Sequence, residues 1–573
     1  MEKGRKRNYF FLLVIIFLAS LLRFGYLDRV PSAISGDELT YILEAKSISV
    51  SGKDLSGTWN PLSVFFFKYP PGVMQAEFPY ILNIPVVGLS KLSLFSARFT
   101  NALLSIFTVI GLYLLAVTLF NEEVAVIVGL IAAINPWEIY IGRTAYDMVP
   151  AVCFYIWGMY VMVVRKGKLL LWSLPLFVLA FYSYIGTKVI FLPILFVTGL
   201  YLIKKFPRQI NKKPLIIFSL TAVLFICFFL FCILTAKHST RISEIISIND
   251  PAISHAVDSI RKSSIRSFFV DIYVNKYTVF STIILTKLFR SLSFDYLFDY
   301  GDNFFSIYSH GLFYFIDAIF LILGLLTMFA KNKRLAAFIG ILALVGVIPH
   351  LLHGADTENF TPHIVMMIPF LLIFIGYGIH EFIYLMFPKY KRILFVTVVG
   401  IYVISLGNFL QIYWFQYPLN GQFDFPIRVL TKYLEFQKSD RQVLVYIARH
   451  EELFKRYLFY SNGINSRTIF TIRKIYDANI IPYKNVIFMG CDERFTIPEN
   501  TTVVYDSQCN KPLLPDPFVK IKRLNDGGDT FKIYNDIVCV NYQLKPYVSN
   551  ITLGELAIES LNEKTFCETY IAK

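Results

Sequence analysis

Tyr9-Phe10-Phe11-Leu12-Leu13-Val14-Ile15-Ile16-Phe17-Leu18-Ala19-Ser20-Leu21-Leu22-Arg23-Phe24-Gly25-Tyr26 is an unbroken apolar run but for one arginine. It is bounded on the amino side by Lys3, Arg5, Lys6 and Arg7 and followed shortly by Gly36-Asp37-Glu38. Roughly 17–25 such residues, wound as a helix, cross a hydrocarbon layer of about 30 Å. The basic start fixes the amino terminus on the cytoplasmic side. No small-x-small cleavage site follows, so the run reads as a retained anchor rather than a secretory signal. Similar runs recur as far as Trp414, and about eleven meet the same length criterion. With 55% hydrophobic and 17% charged residues among 573, and a mean hydropathy of +0.55, the chain carries more apolar surface than one soluble core can bury.

The basic residues are grouped between the apolar runs. The groups are Arg165/Lys166/Lys168, Lys204/Lys205/Arg208/Lys212/Lys213, Lys331/Lys333/Arg334 and Lys389/Lys391/Arg392. Even numbers of spans separate them, so a single topology puts every group inside and the carboxy-terminal region outside. The net charge of +15 is therefore topological, and nucleic acid is not an expected partner. Of seven cysteines, Cys153, Cys227 and Cys232 lie in apolar spans. Cys491, Cys509, Cys539 and Cys567 lie in the carboxy-terminal region, where disulfides persist if it is extracytoplasmic. Three pairings are open, and chain order favours Cys491 with Cys509 and Cys539 with Cys567.

The expected fold is mainly α: a polytopic helical membrane domain over residues 1–413 and an extracytoplasmic α/β or α+β domain over 414–573. From Trp414 the apolar stretches shorten to strand length, as in Gln442-Val443-Leu444-Val445-Tyr446-Ile447 and Thr501-Thr502-Val503-Val504-Tyr505. Two long outer segments interrupt the membrane domain, at 27–95 and 236–310. The first holds a candidate interfacial helix over Leu39–Val50 and an apolar stretch over Val73–Ser90. The second, placed to cover a site, ends in Phe294-Asp295-Tyr296-Leu297-Phe298-Asp299-Tyr300-Gly301-Asp302.

Several ionisable residues fall at the outer ends of spans, where they are expensive unless partnered or functional. Asp37-Glu38 follows span one, Arg143 and Asp147 lie in the next outer turn, and Lys188 lies in the one after, within Tyr184-Ile185-Gly186-Thr187-Lys188. A plainer role for Asp37-Glu38 is a helix cap, with Asp37 accepting backbone N–H bonds and Glu38 complementing the dipole. Later, Thr361-Pro362-His363 precedes another span.

An Asp-Glu pair after the first span, Lys68-Tyr69-Pro70-Pro71, and the Arg143-x3-Asp147 turn together resemble glycosyltransferase family 39. That family, within the GT-C superfamily and here of bacterial type, takes in the protein O-mannosyltransferases and the aminoarabinose transferases of lipid A. The resemblance extends over roughly residues 1–415 and is best in the first 200. It implies transfer of a sugar from a polyprenyl-phosphate carrier to a protein hydroxyl, lipid or cell-envelope glycan on the outer face of the plasma (inner) membrane, with inversion. On that resemblance Asp37 is the base and Glu38 orients acceptor or backbone beside it. Lys68, Arg143, Lys188 and His363 contact the donor phosphate, and Asp147 is a second acidic site. A snorkelling Lys68, an ion-paired Arg143 and a structural His363 are the corresponding plainer roles.

No cofactor is required by this chemistry, although a divalent metal is compatible with it. His350, His353, Asp356 and Glu358 are irregularly spaced for metal ligation, and Asp295, Asp299 and Asp302 form no Asp-x-Asp motif. Asn500-Thr501-Thr502 and Asn550-Ile551-Thr552 match a sequon common by chance. A flippase or transporter for a lipid-linked sugar would also place charge near span ends, but it predicts ionisable residues at mid-membrane depth. A GT-C enzyme that extends glycans or transfers whole oligosaccharides remains open, as does a scaffold whose spans only anchor the outer domain.

Overall fold

The computed structural model describes residues 2–66, 76–164, 169–205, 212–235, 245–302, 305–307, 310–386, 388–420, 425–476, 478–491, 498–509, 516–546 and 551–573. The first run forms helix α1 (Glu2–Phe24). Its Ile15, Ala19 and Leu22 are buried while Phe10, Leu13 and Phe17 are exposed, so it is apolar on both the packed and the outward face. A helix apolar all round suits a lipid surround.

Among the described residues six helices are long and apolar enough to cross a membrane: Leu94–Leu119, Gly186–Lys204, Lys213–Cys232, Lys333–Leu352, Ile368–Leu385 and Pro388–Leu419. Tyr9–Phe24, Phe78–Leu89, Met148–Val164 and Leu170–Ser183 are apolar but shorter. Against the expected eleven or so spans, the described residues supply these six full-length helices and four shorter apolar ones. Asn135-Pro136 separates Glu122–Ile134 from the short helix Pro136–Ile141, which leads into the turn carrying Arg143 and Asp147. At the centre lies Ile368–His380, in which every residue but Tyr377 is buried. It crosses Phe315–Lys331 where Gly324 and Gly378 meet the opposing backbone at Phe374 and Phe320, with no room for a Cβ on either side. Lys213–Cys232 and Pro388–Leu419 lie at the rim, with Leu224, Phe231, Ile393, Val396 and Ile404 facing outward.

The first long segment, 27–95, is largely helical over its described residues. Helix α2 (Gly36–Ser51) starts three residues before the expected interfacial helix. It is opened by a capping box in which the Ser35 hydroxyl accepts from Glu38 N–H and the Glu38 carboxylate accepts from Ser35 N–H. It is closed by Gly52 at φ +69°, the left-handed conformation that glycine adopts without steric cost. Helix Phe78–Leu89 packs on α2, and the buried Lys46 ammonium caps it by donating to Val87 O and Ser90 O, each at 2.8 Å.

Beyond residue 425 a seven-stranded mixed sheet forms from β1 (Val443–Tyr446), β2 (Ile480–Tyr483), β3 (Val486–Met489), β4 (Thr502–Asp506), β5 (Val519–Lys522), β6 (Asp529–Tyr534) and β7 (Ile571–Ala572). The spatial order is β2-β3-β1-β4-β6-β5-β7. β1 runs parallel to β3 and β4, while β2, β6, β5 and β7 pair antiparallel with their neighbours. Helices Phe425–Glu435 and His450–Tyr460 lie against the sheet. Disulfides join Cys491 to Cys509 and Cys539 to Cys567, the pairing that chain order favours. The apolar core under the sheet is continuous with the first outer segment: Leu39, Ile42 and Leu43 of α2, with Leu94 and Ala97, pack into one cluster with Val429, Tyr433, Leu453 and Tyr457. The membrane bundle has its own larger core.

Candidate active site

Asp37 and Glu38 are adjacent in sequence but turn about 100° apart on a helix, and the structure separates their roles accordingly. Asp37 is exposed in the first turn of α2. Glu38 is buried: one carboxylate oxygen closes the capping box at 2.9 Å from Ser35 N, and the other accepts from Ala145 N at 2.8 Å and lies 3.6 Å from Arg98 Nε. The cap is therefore Ser35 with Glu38, not Asp37. The carboxylate at position 38 bridges α2 to the turn carrying Asp147.

One turn along α2 from Asp37 is Tyr41, whose hydroxyl donates to Asp147 Oδ2 at 2.6 Å. Burial, then the Asp147 carboxylate, push the Tyr41 phenol well above its usual range, and Asp37 adds to the effect. Tyr41 therefore keeps its proton and holds Asp147, one helical turn after Asp37. Next to Asp147, the Tyr146 ring meets Phe305 edge-on at 5.3 Å, Phe305 meets Phe360 at 5.1 Å, and Phe360 meets His363 at 4.7 Å. His363 in turn lies 4.4 Å from the His353 ring. A continuous aromatic wall thus runs from the acidic pair to His363.

Lys188 is half-buried on the turn Gly186–Ile190, with its ammonium 5.7 Å from the Phe181 ring. That turn touches both Ile348–Leu352 and Thr361–His363, so Lys188 and His363 stand on neighbouring segments. Lys68 lies outside the described residues. Phe65, near the end of the described stretch before it, rests edge-on against Tyr182 at 5.4 Å.

Arg143 does not face this surface. It is fully buried, with Nη1 donating to Leu22 O (2.9 Å) and Arg23 O (3.1 Å), Nη2 to Val30 O (2.8 Å) and Nε to the Tyr413 hydroxyl (3.2 Å). Every donor-bearing nitrogen is committed, and the residue fastens the end of α1 and the chain that follows instead of meeting a phosphate. Sequence gave no sign of this, because span-end arginines look alike whether they point inward or outward.

Other side chains escaped sequence reading. Arg98 donates to Pro31 O (2.7 Å) and Ala33 O (2.6 Å). Glu77 accepts from the Ser63 hydroxyl at 2.5 Å, and burial pushes it up to about 7. In the second outer segment, Lys287 of helix Lys276–Ser291 donates to the carbonyls of His350 and Gly354, and burial pulls it down to about 8. Asp302 accepts from Thr361 N at 2.7 Å, and the Tyr296 hydroxyl shares a hydrogen with Thr361 Oγ1 at 2.8 Å. The second outer segment therefore fastens the turn that carries His363. Among the described residues no three His, Cys, Asp or Glu side chains gather as a metal-ligating set.

The family of dolichyl-phosphate-mannose-protein mannosyltransferases matches the chain over residues 78–233. No curated protein matches it in sequence. Two crystal structures of ArnT from Cupriavidus metallidurans are similar to it, each at 12% identity over 91% of this chain and 97% of that one: the apo state at a TM-score of 0.47 and the form bound to undecaprenyl phosphate at 0.48. The Archaeoglobus fulgidus oligosaccharyltransferase in the apo form is similar at 13% identity over 87% of this chain and 69% of that one, with a TM-score of 0.45. Likenesses this distant add nothing to what residues 78–233 show. That match falls within a helical bundle with six described helices long and apolar enough to cross a membrane, followed by a sheet domain.

Proposed function

We propose that the chain transfers a sugar from a polyprenyl-phosphate carrier to an acceptor hydroxyl on the extracytoplasmic face of the plasma membrane, with the amino terminus cytoplasmic and residues 414–573 outside. The observation that carries this reading is the placement of Asp37: an exposed carboxylate on the first turn of a capped helix, one turn before Tyr41, whose hydroxyl holds Asp147 beside an aromatic wall that ends at His363, with Lys188 on a segment that touches the one carrying His363. A base must be ionised to act, and the amino-terminal end of α2 favours negative charge there.

In the reaction, Asp37 takes the proton of the acceptor hydroxyl as its oxygen bonds to the anomeric carbon. The bond from that carbon to the carrier phosphate breaks, and the phosphate keeps the electron pair. Lys188, His363 and Lys68 hold the growing phosphate charge. Attack opposite the leaving group inverts the anomeric centre. Asp147, hydrogen-bonded by Tyr41, is the second acidic group and helps orient the acceptor. Protein hydroxyls, lipids and cell-envelope glycans all present a suitable nucleophile.

The test is Asp37→Asn in membranes supplied with polyprenyl-phosphate-mannose, reading release of polyprenyl phosphate. Loss of transfer by about 10²-fold or more is expected from removing a general base. Transfer at the wild-type rate would remove Asp37 from the mechanism, and no release from either form is the outcome a flippase or anchor predicts.

A further inference from the structure

Backbone atoms of Val30 to Ser35, just before Asp37, are held by side chains from elsewhere in the chain, and two of the holding groups come from the sheet domain some 400 positions away in sequence. Arg143 takes Val30 O, and Arg98 takes Pro31 O and Ala33 O. Arg428, on helix Phe425–Glu435, takes Ser32 O at 2.6 Å. The Tyr460 hydroxyl accepts from Ile34 N at 3.2 Å, and Glu38 accepts from Ser35 N. Ser32 Oγ also donates to Pro418 O at 3.1 Å.

Arg428 is itself fixed. Its Nε and Nη2 form a fork with Glu559 at 2.7 and 2.5 Å, its guanidinium lies 5.7 Å from the Tyr460 ring, and the side chain is 1% exposed. The far end of α2 is gripped by the same domain, where Arg473 donates to Asp54 O (3.0 Å) and Lys53 O (2.9 Å). We infer that Arg428 and Tyr460 are positioning residues for Asp37: the sheet domain is a clamp that fixes the loop Val30–Ser35 and so sets where the carboxylate at 37 stands.

A general base displaced by about 1 Å can lose about 10²-fold in rate, while binding of a donor held elsewhere is little changed. The inference deepens the proposed reaction and rests on it for its catalytic consequence, but its geometric half can be read without any turnover.

The experiment uses the full chain in detergent or nanodiscs, with Arg428→Met, Arg428→Lys and the milder Tyr460→Phe. Amide hydrogen exchange over residues 30–36 should rise about tenfold or more in Arg428→Met and less in Arg428→Lys, which keeps a cation but lacks the fork. With polyprenyl-phosphate-mannose as probe, kcat should fall about tenfold or more while donor KM stays within about twofold. If Arg428→Met does not fold, Tyr460→Phe must show the same split at smaller amplitude. Unchanged exchange, a KM-only effect, or full turnover from a variant whose 30–36 amides exchange faster would each overturn the inference. If Asp37→Asn also transfers normally, the proposed reaction is what fails, and exchange alone then decides the clamp.

Discussion

Glu38→Gln offers a sharp quantitative check, because a single buried carboxylate serves three groups. One oxygen faces Ser35 N at 2.9 Å, and the other faces Ala145 N at 2.8 Å and Arg98 Nε at 3.6 Å. A glutamine has one acceptor oxygen, so whichever way the amide turns, one N–H loses its partner and meets an NH2 group. Losing a hydrogen bond to a charged acceptor costs about 1.5–3 kcal/mol. Arg98 also loses its counter-charge, which costs about 3–5 kcal/mol for a fully isolated buried charge. The guanidinium keeps Pro31 O and Ala33 O, so only a fraction of that penalty applies. The sum is about 3 kcal/mol for Glu38→Gln, and Glu38→Ala, which strands both N–H groups, should lose about 1–2 kcal/mol more. Thermal unfolding of the purified protein followed by intrinsic fluorescence should show melting lowered by a few degrees in the first variant and further in the second. Melting at the wild-type temperature in Glu38→Gln, or no added loss in Glu38→Ala, would refute the account of Glu38 as the bridge between α2 and the Asp147 turn.

Tyr41→Phe removes the hydroxyl that donates to Asp147, so transfer should fall about tenfold or more while melting changes little. Lys188→Met and His363→Leu should each weaken turnover of a lipid-phosphate donor without changing acceptor KM, checked by steady-state kinetics with both substrates varied. Glu44 accepts from Leu55 N at 2.7 Å and burial pushes it up to about 8, so the folded protein holds a proton that the unfolded chain releases near 4.5. Its contribution is therefore present below the unfolded value and is lost as pH rises towards 8. In Glu44→Gln, the loss of melting temperature between pH 5 and pH 8 should be smaller than in the wild type, and an unchanged difference would contradict the assignment. Reducing the Cys491–Cys509 disulfide, which spans 18 positions, should destabilise the sheet domain by about 3 kcal/mol, seen as earlier proteolysis of residues beyond 425.

The membrane architecture was legible because apolar length and basic turns are local signals. Ser35-x-x-Glu38 likewise carries the capping box in its spacing, although composition alone suggested Asp37 as the capping group. The break after Ile134 was legible too, since Asn135-Pro136 is a turn signal and the structure divides Glu122–Ile134 from Pro136–Ile141 there. The Asp37–Tyr41 spacing of four places both on one face of α2, so Tyr41 was within reach of sequence reasoning. Arg143, Arg98 and Arg428 were not. Their roles depend on carbonyls presented by chain 65 to 396 residues away, and nothing in the local sequence distinguishes an arginine that holds backbone from one that meets a phosphate.

The most direct test of the active-site account is a cryo-EM density for the chain with a polyprenyl-phosphate sugar bound in an Asp37→Asn background. The account predicts the phosphate within hydrogen-bond distance of Lys188 or His363, with the anomeric carbon turned towards residue 37. A headgroup seated away from the wall formed by Tyr146, Phe305 and Phe360, with residue 37 facing empty solvent, would contradict it.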